Sequence, residues 1–217
     1  MAEGLRERKK RQTRRRVADA AVRLFVARGF DDVTIAEVAA AAEVSVNTVY
    51  NYFAVKEDLV LPPEETSARR LADIVLARPP GCSAARAVLA RLREEVAGRE
   101  PHIGLGPDFG RMLEMMRAAP TLAARLESLA RQMTDLLAAV LAQETAAAAD
   151  DPLPRAVAWQ IGGVHALVLS EIGRRTTVGE DPDTIAAAVL DLLDVVEGLL
   201  GERILGYAVR EERPCSE

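Results

Sequence analysis

Aromatic residues make up only 4% of this 217-residue chain, and it holds just two cysteines and two histidines. Each shortage excludes something. With few aromatics and hardly any β-branched runs, sheets lack their usual strand formers, and helices are expected throughout. Cys82 and Cys215 stand far apart, each beside a loop or tail. That is neither a disulfide framework nor a metal-ligand spacing, and reduced thiols in a cytosolic protein are the default. Two histidines without clustered cysteines argue against a metal site, and no cofactor is expected. The longest uncharged stretch, Ala156 to Ser170, has 15 residues, short of the roughly 20 that span a bilayer. It reads as a buried helix. Arg and Lys fill residues 6–16 with no apolar segment after them, so no secretory leader fits and a cytoplasmic location is expected. Also missing are a Gly-rich phosphate loop, a His-Glu metal pattern and a nucleophile elbow. The adjacent acids Glu94-Glu95 and Asp150-Asp151 read more simply as solvated charges or caps. No catalytic residue emerges, and an enzyme in a helical body is the weaker alternative.

What is present is unevenly distributed. Residues 1–56 carry 11 basic and 7 acidic side chains, whereas residues 57–217 carry 17 basic and 26 acidic ones. A basic head on an acidic body suits a nucleic-acid reader, although a merely solvated basic terminus would give the same count. Residues 1–12 are polar and charged and predict a flexible arm. Its cations (Arg6, Arg8, Lys9, Lys10, Arg11, then Arg14, Arg15 and Arg16) are either solvated or available to phosphates. Periodicity begins at Val17. Val17, Ala20, Ala21, Leu24 and Phe25 share one helix face, and Gly29 reads as the C-cap. Thr34 opens a second, short helix, with Glu37 three residues on to complete a capping box.

Ser45 opens a third helix. With Asn47 at zero and 100° per residue, Val49 and Phe53 fall at roughly 200° and 240°, the core side. Asn47, Thr48, Asn51 and Tyr52 fall between roughly 0° and 140°, opposite that core. Folding has no use for such a polar front. Asn pairs bidentately with adenine and the Thr methyl touches a thymine methyl, while Ser and Tyr hydroxyls grip phosphates. Lys56, at the next helix start, adds a phosphate-seeking charge. Two helix starts, a tight turn and this front form a helix-turn-helix, whose second helix enters the major groove.

The segment from about Arg14 to Leu59 resembles the N-terminal domain of the TetR (tetracycline-repressor-like) transcription regulators. The matching pieces are Ala21-Val-Arg-Leu-Phe25, Gly29-Phe30, Thr34-Ile-Ala-Glu-Val-Ala39, Val44-Ser45, Thr48-Val-Tyr-Asn-Tyr-Phe53 and Lys56-Glu-Asp-Leu59. The resemblance implies phosphate contacts at Thr34, Tyr50, Tyr52 and Lys56, and base or backbone contacts from Ser45 to Thr48. Val46 is contested: the wheel turns it partly inward, whereas the family aims this position at DNA. Glu43 stands where the family often has Gly in the turn, and Ala54 replaces a common capping residue.

Beyond residue 61 the chain is generic. Pro62-Pro63 predicts a break, with a new helix starting near Pro63, and Arg78-Pro-Pro-Gly81 a second stop. Ser83 caps a helix to about Ala97, and residues 98–107 form a loop. Phe109 to Arg117 is helical, Pro120 opens a long helix, and Asp151-Pro152 and Asp181-Pro182 start the last two, about 152–176 and 182–201. Those two carry more apolar surface than a monomer needs. Gly162, Ala166 and Ser170 form a small-residue row, and Val189, Leu192, Val196 and Leu199 belong to a broad stripe. Intramolecular packing accounts for either, whereas the resemblance implies a homodimer through a four-helix bundle, set over a palindromic operator in double-stranded DNA. It also implies a cavity for a small effector, for which Phe109, Met112, Met115, Met116, Met133, Trp159 and His165 are candidate lining residues, each equally at home in a plain core. The expected architecture is all-α, with an arm and helix-turn-helix domain at 1–61 and an effector-binding and dimerisation domain at 62–217. The implied function is a DNA-binding repressor released by a small apolar or amphipathic effector. A helical interaction module without DNA binding is the other alternative.

Overall fold

The computed structural model describes residues 5–61, 67–106 and 108–211, and every regular element among them is helical. The break at Pro62-Pro63, the helix start beside it and Cys215 lie outside the described residues. No described helix is long and apolar enough to cross a membrane. The chain divides into two compact units, Met1–Ser67 with Arg111–Arg125, and Ala68–Gly110 with Leu126–Glu217.

The first unit opens with α1, Leu5–Arg28. The expected flexible arm is therefore helical from Leu5 onward. From Leu5 on, its Glu, Arg, Lys and Gln residues are strong helix formers with no Gly or Pro among them, and intrinsic propensity outweighs their polarity. Val17, Ala20, Ala21 and Phe25 are buried, as their spacing predicts. Gly29, at φ 94°, ends the helix and donates its N–H to the Phe25 carbonyl at 2.8 Å. The chain continues through α2 (Ile35–Ala41), α3 (Val46–Tyr52) and a 3-10 turn at Lys56–Leu59. α1 packs on α2 and on the 3-10 turn, and α2 packs on α3. The head also draws in a segment from mid-chain. Most of α6 (Phe109–Ala118) and the first residues of α7 (Pro120–Glu144) belong to it, and a single boundary at residue 61 omits them. Met115, Met116, Ala119 and Leu122 are buried there.

The second unit holds α4 (Arg70–Ala77), α5 (Ala84–Ala97), a 3-10 turn at Pro101–Ile103, the remainder of α7, α8 (Leu153–Thr177), α9 (Pro182–Leu199) and α10 (Glu202–Leu205). The helix starts follow their caps. The Ser83 hydroxyl accepts from Arg86 N–H, and the Asp181 carboxylate accepts from Asp183 and Thr184 N–H. At Asp151-Pro152 the helix begins one residue later than expected. Pro152 takes the cap position, and the Asp151 carboxylate accepts from Leu153 N–H at 2.9 Å. The core gathers Leu71, Val88, Leu92, Leu137, Ile161, Val168, Ile172, Ile185, Val189 and Leu193. Gly110 and Gly162 are among the glycines that permit close approach. A Cβ at Gly110 would lie 2.2 Å from Thr177 Oγ1, and one at Gly162 would lie 2.8 Å from Thr134 Oγ1. Gly162 thus serves packing of α8 on α7 within the chain.

Among the described residues of this unit, two charges are buried. Arg78, 3% exposed, donates to Glu144 at 3.1 and 2.6 Å and to the carbonyls of Val75, Cys82 and Ala208 at 2.5, 3.0 and 2.8 Å. One guanidinium thus ties together the end of α4, the following turn, the end of α7 and the C-terminal segment. Buried Glu95 accepts from Arg70, from Arg91 at 2.8 Å and pairs with His102 at 3.2 Å.

Candidate nucleic-acid interface

The reading surface is assembled by local chemistry. Thr34 N–H donates to Glu37 Oε2 at 2.7 Å, the Thr34 hydroxyl donates to the same oxygen at 2.8 Å, and Glu37 N–H donates back to the hydroxyl at 3.3 Å. Arg28 adds an ion pair to Glu37 at 2.8 Å. The Thr34 backbone and hydroxyl, then Arg28, hold the Glu37 carboxyl down at about 2. The capping box is thus complete, and it fixes the entry of α2.

Between α2 and α3 the chain reverses at Glu43, φ 52°. Val44 N–H donates to the Ala39 carbonyl at 2.9 Å and Glu43 N–H to the Ala40 carbonyl at 3.1 Å. This is a Schellman turn, whose left-handed position favours Gly. Glu43 occupies it, at the position where the resemblance puts glycine.

Ser45 then caps α3. Its hydroxyl accepts from Thr48 N–H at 3.1 Å and shares a 2.8 Å hydrogen bond with the Thr48 hydroxyl. The apolar back is sealed: Val49 is 1% exposed and Phe53 2%. Asn47 and Asn51 are exposed, and Thr48 and Tyr52 are half-buried. Tyr50 is 54% exposed. Val46, contested on the wheel, is 38% exposed and faces out with them. Thr34, at the start of α2, is exposed too. A helix with its side chains is about 10–12 Å across, which the roughly 12 Å width of the major groove admits. Along α1, Arg8, Lys9, Lys10, Arg11, Arg15 and Arg16 are exposed, and half-buried Arg14 sits 5.3 Å from the Phe53 ring centroid.

Lys56 departs from expectation. Its ammonium is turned onto the Phe30 carbonyl at 2.5 Å, 4.4 Å from the Phe30 ring centroid and 5.4 Å from that of Phe25. A cation over aromatic faces with a carbonyl acceptor is well satisfied, so this lysine ties the 3-10 turn to the α1–α2 loop. Sequence spacing gave no sign of this, because the acceptor is a backbone atom 26 residues earlier. Sequence reading also missed Arg125, whose guanidinium reaches Asp58 at 2.5 Å.

The other candidates are dispersed. Of the effector set, Met112, Met115 and Met116 belong to the first unit, and Phe109, Met133 and His165 to the second. Met115 lines an open groove of about 500 Å³ in the first unit, with Phe25, Phe30, Asp31, Asp32 and Glu114. Met133 and Phe109 pack in or against the second unit's core. His165 is held neutral: its pKa is lowered to about 4, chiefly by burial and then by Arg70, with Glu95 opposing. Trp159 is 67% exposed on the outside of α8. The buried stripe of that helix runs through Val157, Ile161, Val164, Val168 and Ile172, which turns Trp159 away from any cavity in its own unit. Of the dimer set, Leu199 is 80% exposed and Val189 0%. Val189 packs into its own chain's core, which leaves none of its side chain for a partner. Ala166 is exposed, and Gly162, Ser170, Leu192 and Val196 are half-buried. Among the described residues no cluster of His, Cys, Asp and Glu could hold a metal ion.

Comparison with known proteins agrees with this geometry. The model for bacterial regulatory proteins of the tetR family matches residues 17–61, and that for the MftR C-terminal domain matches residues 108–197. The HTH-type transcriptional regulator TcmR of Streptomyces glaucescens is 30% identical over 156 residues, covering 68% of this chain and 67% of that protein. Among solved structures, native NalD of Pseudomonas aeruginosa, the secondary repressor of the MexAB-OprM multidrug efflux pump, aligns with a TM-score of 0.57 at 18% identity, over 86% of this chain and 97% of its own. The fatty acid degradation regulator FadR of Bacillus halodurans aligns with a TM-score of 0.54 at 18% identity, over 85% of this chain and 98% of its own. At such identity these two speak for the fold. The helix-turn-helix geometry, the family match over the head and the likeness to TcmR lead to one conclusion: the chain belongs to the tetR family and is a DNA-binding transcriptional regulator.

Proposed function

We propose that this chain is a repressor that acts as a two-fold homodimer on a palindromic operator in the cytoplasm and is released by a small apolar or amphipathic effector. The observation that carries the DNA reading is the outward polar face of α3 on a sealed apolar back. Asn47 and Asn51 read base edges, and Val46 and Thr48 contact thymine methyls. Thr34, Ser45, Tyr50 and Tyr52 bind phosphates and set the register. Lys56 serves mainly to hold the turn behind α3, and its charge adds to the local field.

Exposed apolar side chains on the last two long helices support the dimer. Trp159 and Leu167 on α8, and Val195 and Leu199 on α9, are 67%, 44%, 60% and 80% exposed. Trp159, Gly163, Ala166, Leu167 and Ser170 recur at helical spacing with no charge among them. A second copy of the same face would bury them around the two-fold axis. Residues 1–61, with the mid-chain segment Arg111–Arg125 of the same unit, then supply the reading head, and the second unit supplies dimerisation and effector response. The multidrug efflux and fatty acid degradation named for NalD and FadR support an apolar or amphipathic effector class. Release is a population shift: the effector must favour the released form by about 1.4 kcal/mol for each tenfold loss of DNA affinity.

Selection of duplexes from a random-sequence pool tests this reading. The expected result is an enriched inverted repeat whose half-sites lie about one helical turn, 34–36 Å, apart. Enrichment of a single half-site, or of no sequence, would contradict it.

A further inference from the structure

The segment behind the recognition helix is held by a residue from far along the chain. Ala54 and Val55 offer no side-chain cap, and the Asp58 carboxylate reaches back to accept from Val55 N–H at 3.2 Å. Its other oxygen receives Arg125 Nη2 at 2.5 Å, and the same nitrogen lies 3.3 Å from the Leu61 carbonyl. Asp58 is 7% exposed, so its carboxylate depends on that guanidinium. Lys56 anchors the same turn to the Phe30 carbonyl. α3 ends at Tyr52 and buries only Val49 within its own span. Its C-terminal end is therefore fixed largely by how the chain from Phe53 to Leu61 is held.

We propose that Arg125 is a positioning residue for DNA recognition. Through Asp58 it sets the orientation of α3 without touching the duplex. This inference rests on the DNA reading above and adds a residue from α7 to it. A small rotation of α3 misaligns base-edge contacts, which need tight geometry, more than it disturbs phosphate contacts. Loss of Arg125 therefore lowers discrimination between sequences.

The test uses the full chain. A duplex enriched from a random pool by the wild-type protein is compared with a shuffled duplex of equal length and composition. Both are titrated across salt concentrations with wild type, Arg125→Gln, Arg125→Lys, Asp58→Asn and the Asp58→Asn/Arg125→Gln double variant, and urea midpoints are measured in parallel. Arg125→Gln is expected to lose about tenfold in affinity for the enriched duplex, near the cost of one mismatched base pair. Its affinity for the shuffled duplex should stay within about twofold and its salt slope unchanged, because no phosphate contact is removed. Arg125→Lys should recover part of the loss, and the double variant should bind no worse than the weaker single variant, since the two side chains act as one unit. A folded Arg125→Gln with the wild-type ratio of enriched to shuffled affinity overturns the proposal. So does equal loss on both duplexes with a shallower salt slope, which would make Arg125 a phosphate contact. Should Arg125→Gln not fold, Arg125→Lys and Asp58→Asn carry the same comparison, and an unchanged ratio in both is the contrary result. Failure of the wild type to enrich any sequence is a separate outcome: it removes the DNA reading itself, and this inference with it.

Discussion

α3 and α8 represent two ways of using a helix. α3 has seven residues and buries Val49 alone within its span. It is held from outside, by the Ser45 cap at one end and the Lys56 and Asp58 tethers behind the other. α8 has 25 residues and buries an apolar stripe from Val157 to Ile172. Its stability comes from packing, as it does for most helices in proteins. A helix that must offer one face to DNA has little surface left to bury, so its position is set by neighbours. A helix that builds a core positions itself.

This contrast predicts that stability and recognition separate on mutation. The largest effect belongs to the second unit. Arg78→Ala strands the Glu144 carboxylate and three carbonyls, and should cost about 3–5 kcal/mol in urea denaturation. At temperatures where the variant is still folded, its preference among DNA sequences should be that of the wild type. A loss of sequence preference in the folded variant would break the separation.

A smaller effect follows from His165. Its folded pKa is lowered to about 4, chiefly by burial. Between the unfolded value near 6.5 and about 4, the unfolded chain takes up a proton that the folded chain refuses. Stability contributed by the neutral imidazole is therefore present above about 6.5 and falls as pH drops through this window, with no further change below about 4. His165→Leu should flatten that part of a pH–stability profile. An unchanged profile would contradict the burial account.

The smallest effect lies in the head. Glu43→Gly relieves a left-handed residue in the turn and should stabilise by about 0.5 kcal/mol, after allowing for the greater freedom of Gly in the unfolded chain. Thermal melting of the variant checks this. Destabilisation would show that the Glu43 side chain has a role that outweighs its backbone strain.

The same contrast explains what could be read from residues alone. Helix starts were legible wherever a cap announced them: Thr34 with Glu37, Ser45, Ser83 and Asp181. The polar front of α3 was legible because a short helix with one apolar side leaves a single orientation. Val46 was not, since its angle falls at the margin of the apolar arc and neighbouring packing decides. The helical N-terminal arm was missed because charge suggested disorder while propensity favoured helix. Lys56 and Arg125 found partners 26 and 67 residues away, beyond any local pattern. On α9, apolar residues occur on more than one face. Nothing in the pattern separates Val189, buried in its own core, from Leu199, which faces out. Trp159 was misplaced for a related reason, since a large apolar side chain suggests a core and here marks an exposed face.

The central claim is that Asn47 and Tyr52 face outward to contact a duplex. Titration of wild type and an Asn47→Ala/Tyr52→Ala variant against DNA upstream of the chain's own gene, over a range of salt concentrations, tests it most directly. The account predicts that the variant melts as the wild type does yet binds about 100-fold more weakly, with the difference largest on the specific site. Identical binding by the two proteins, or a wild type with no salt-sensitive affinity, would contradict it.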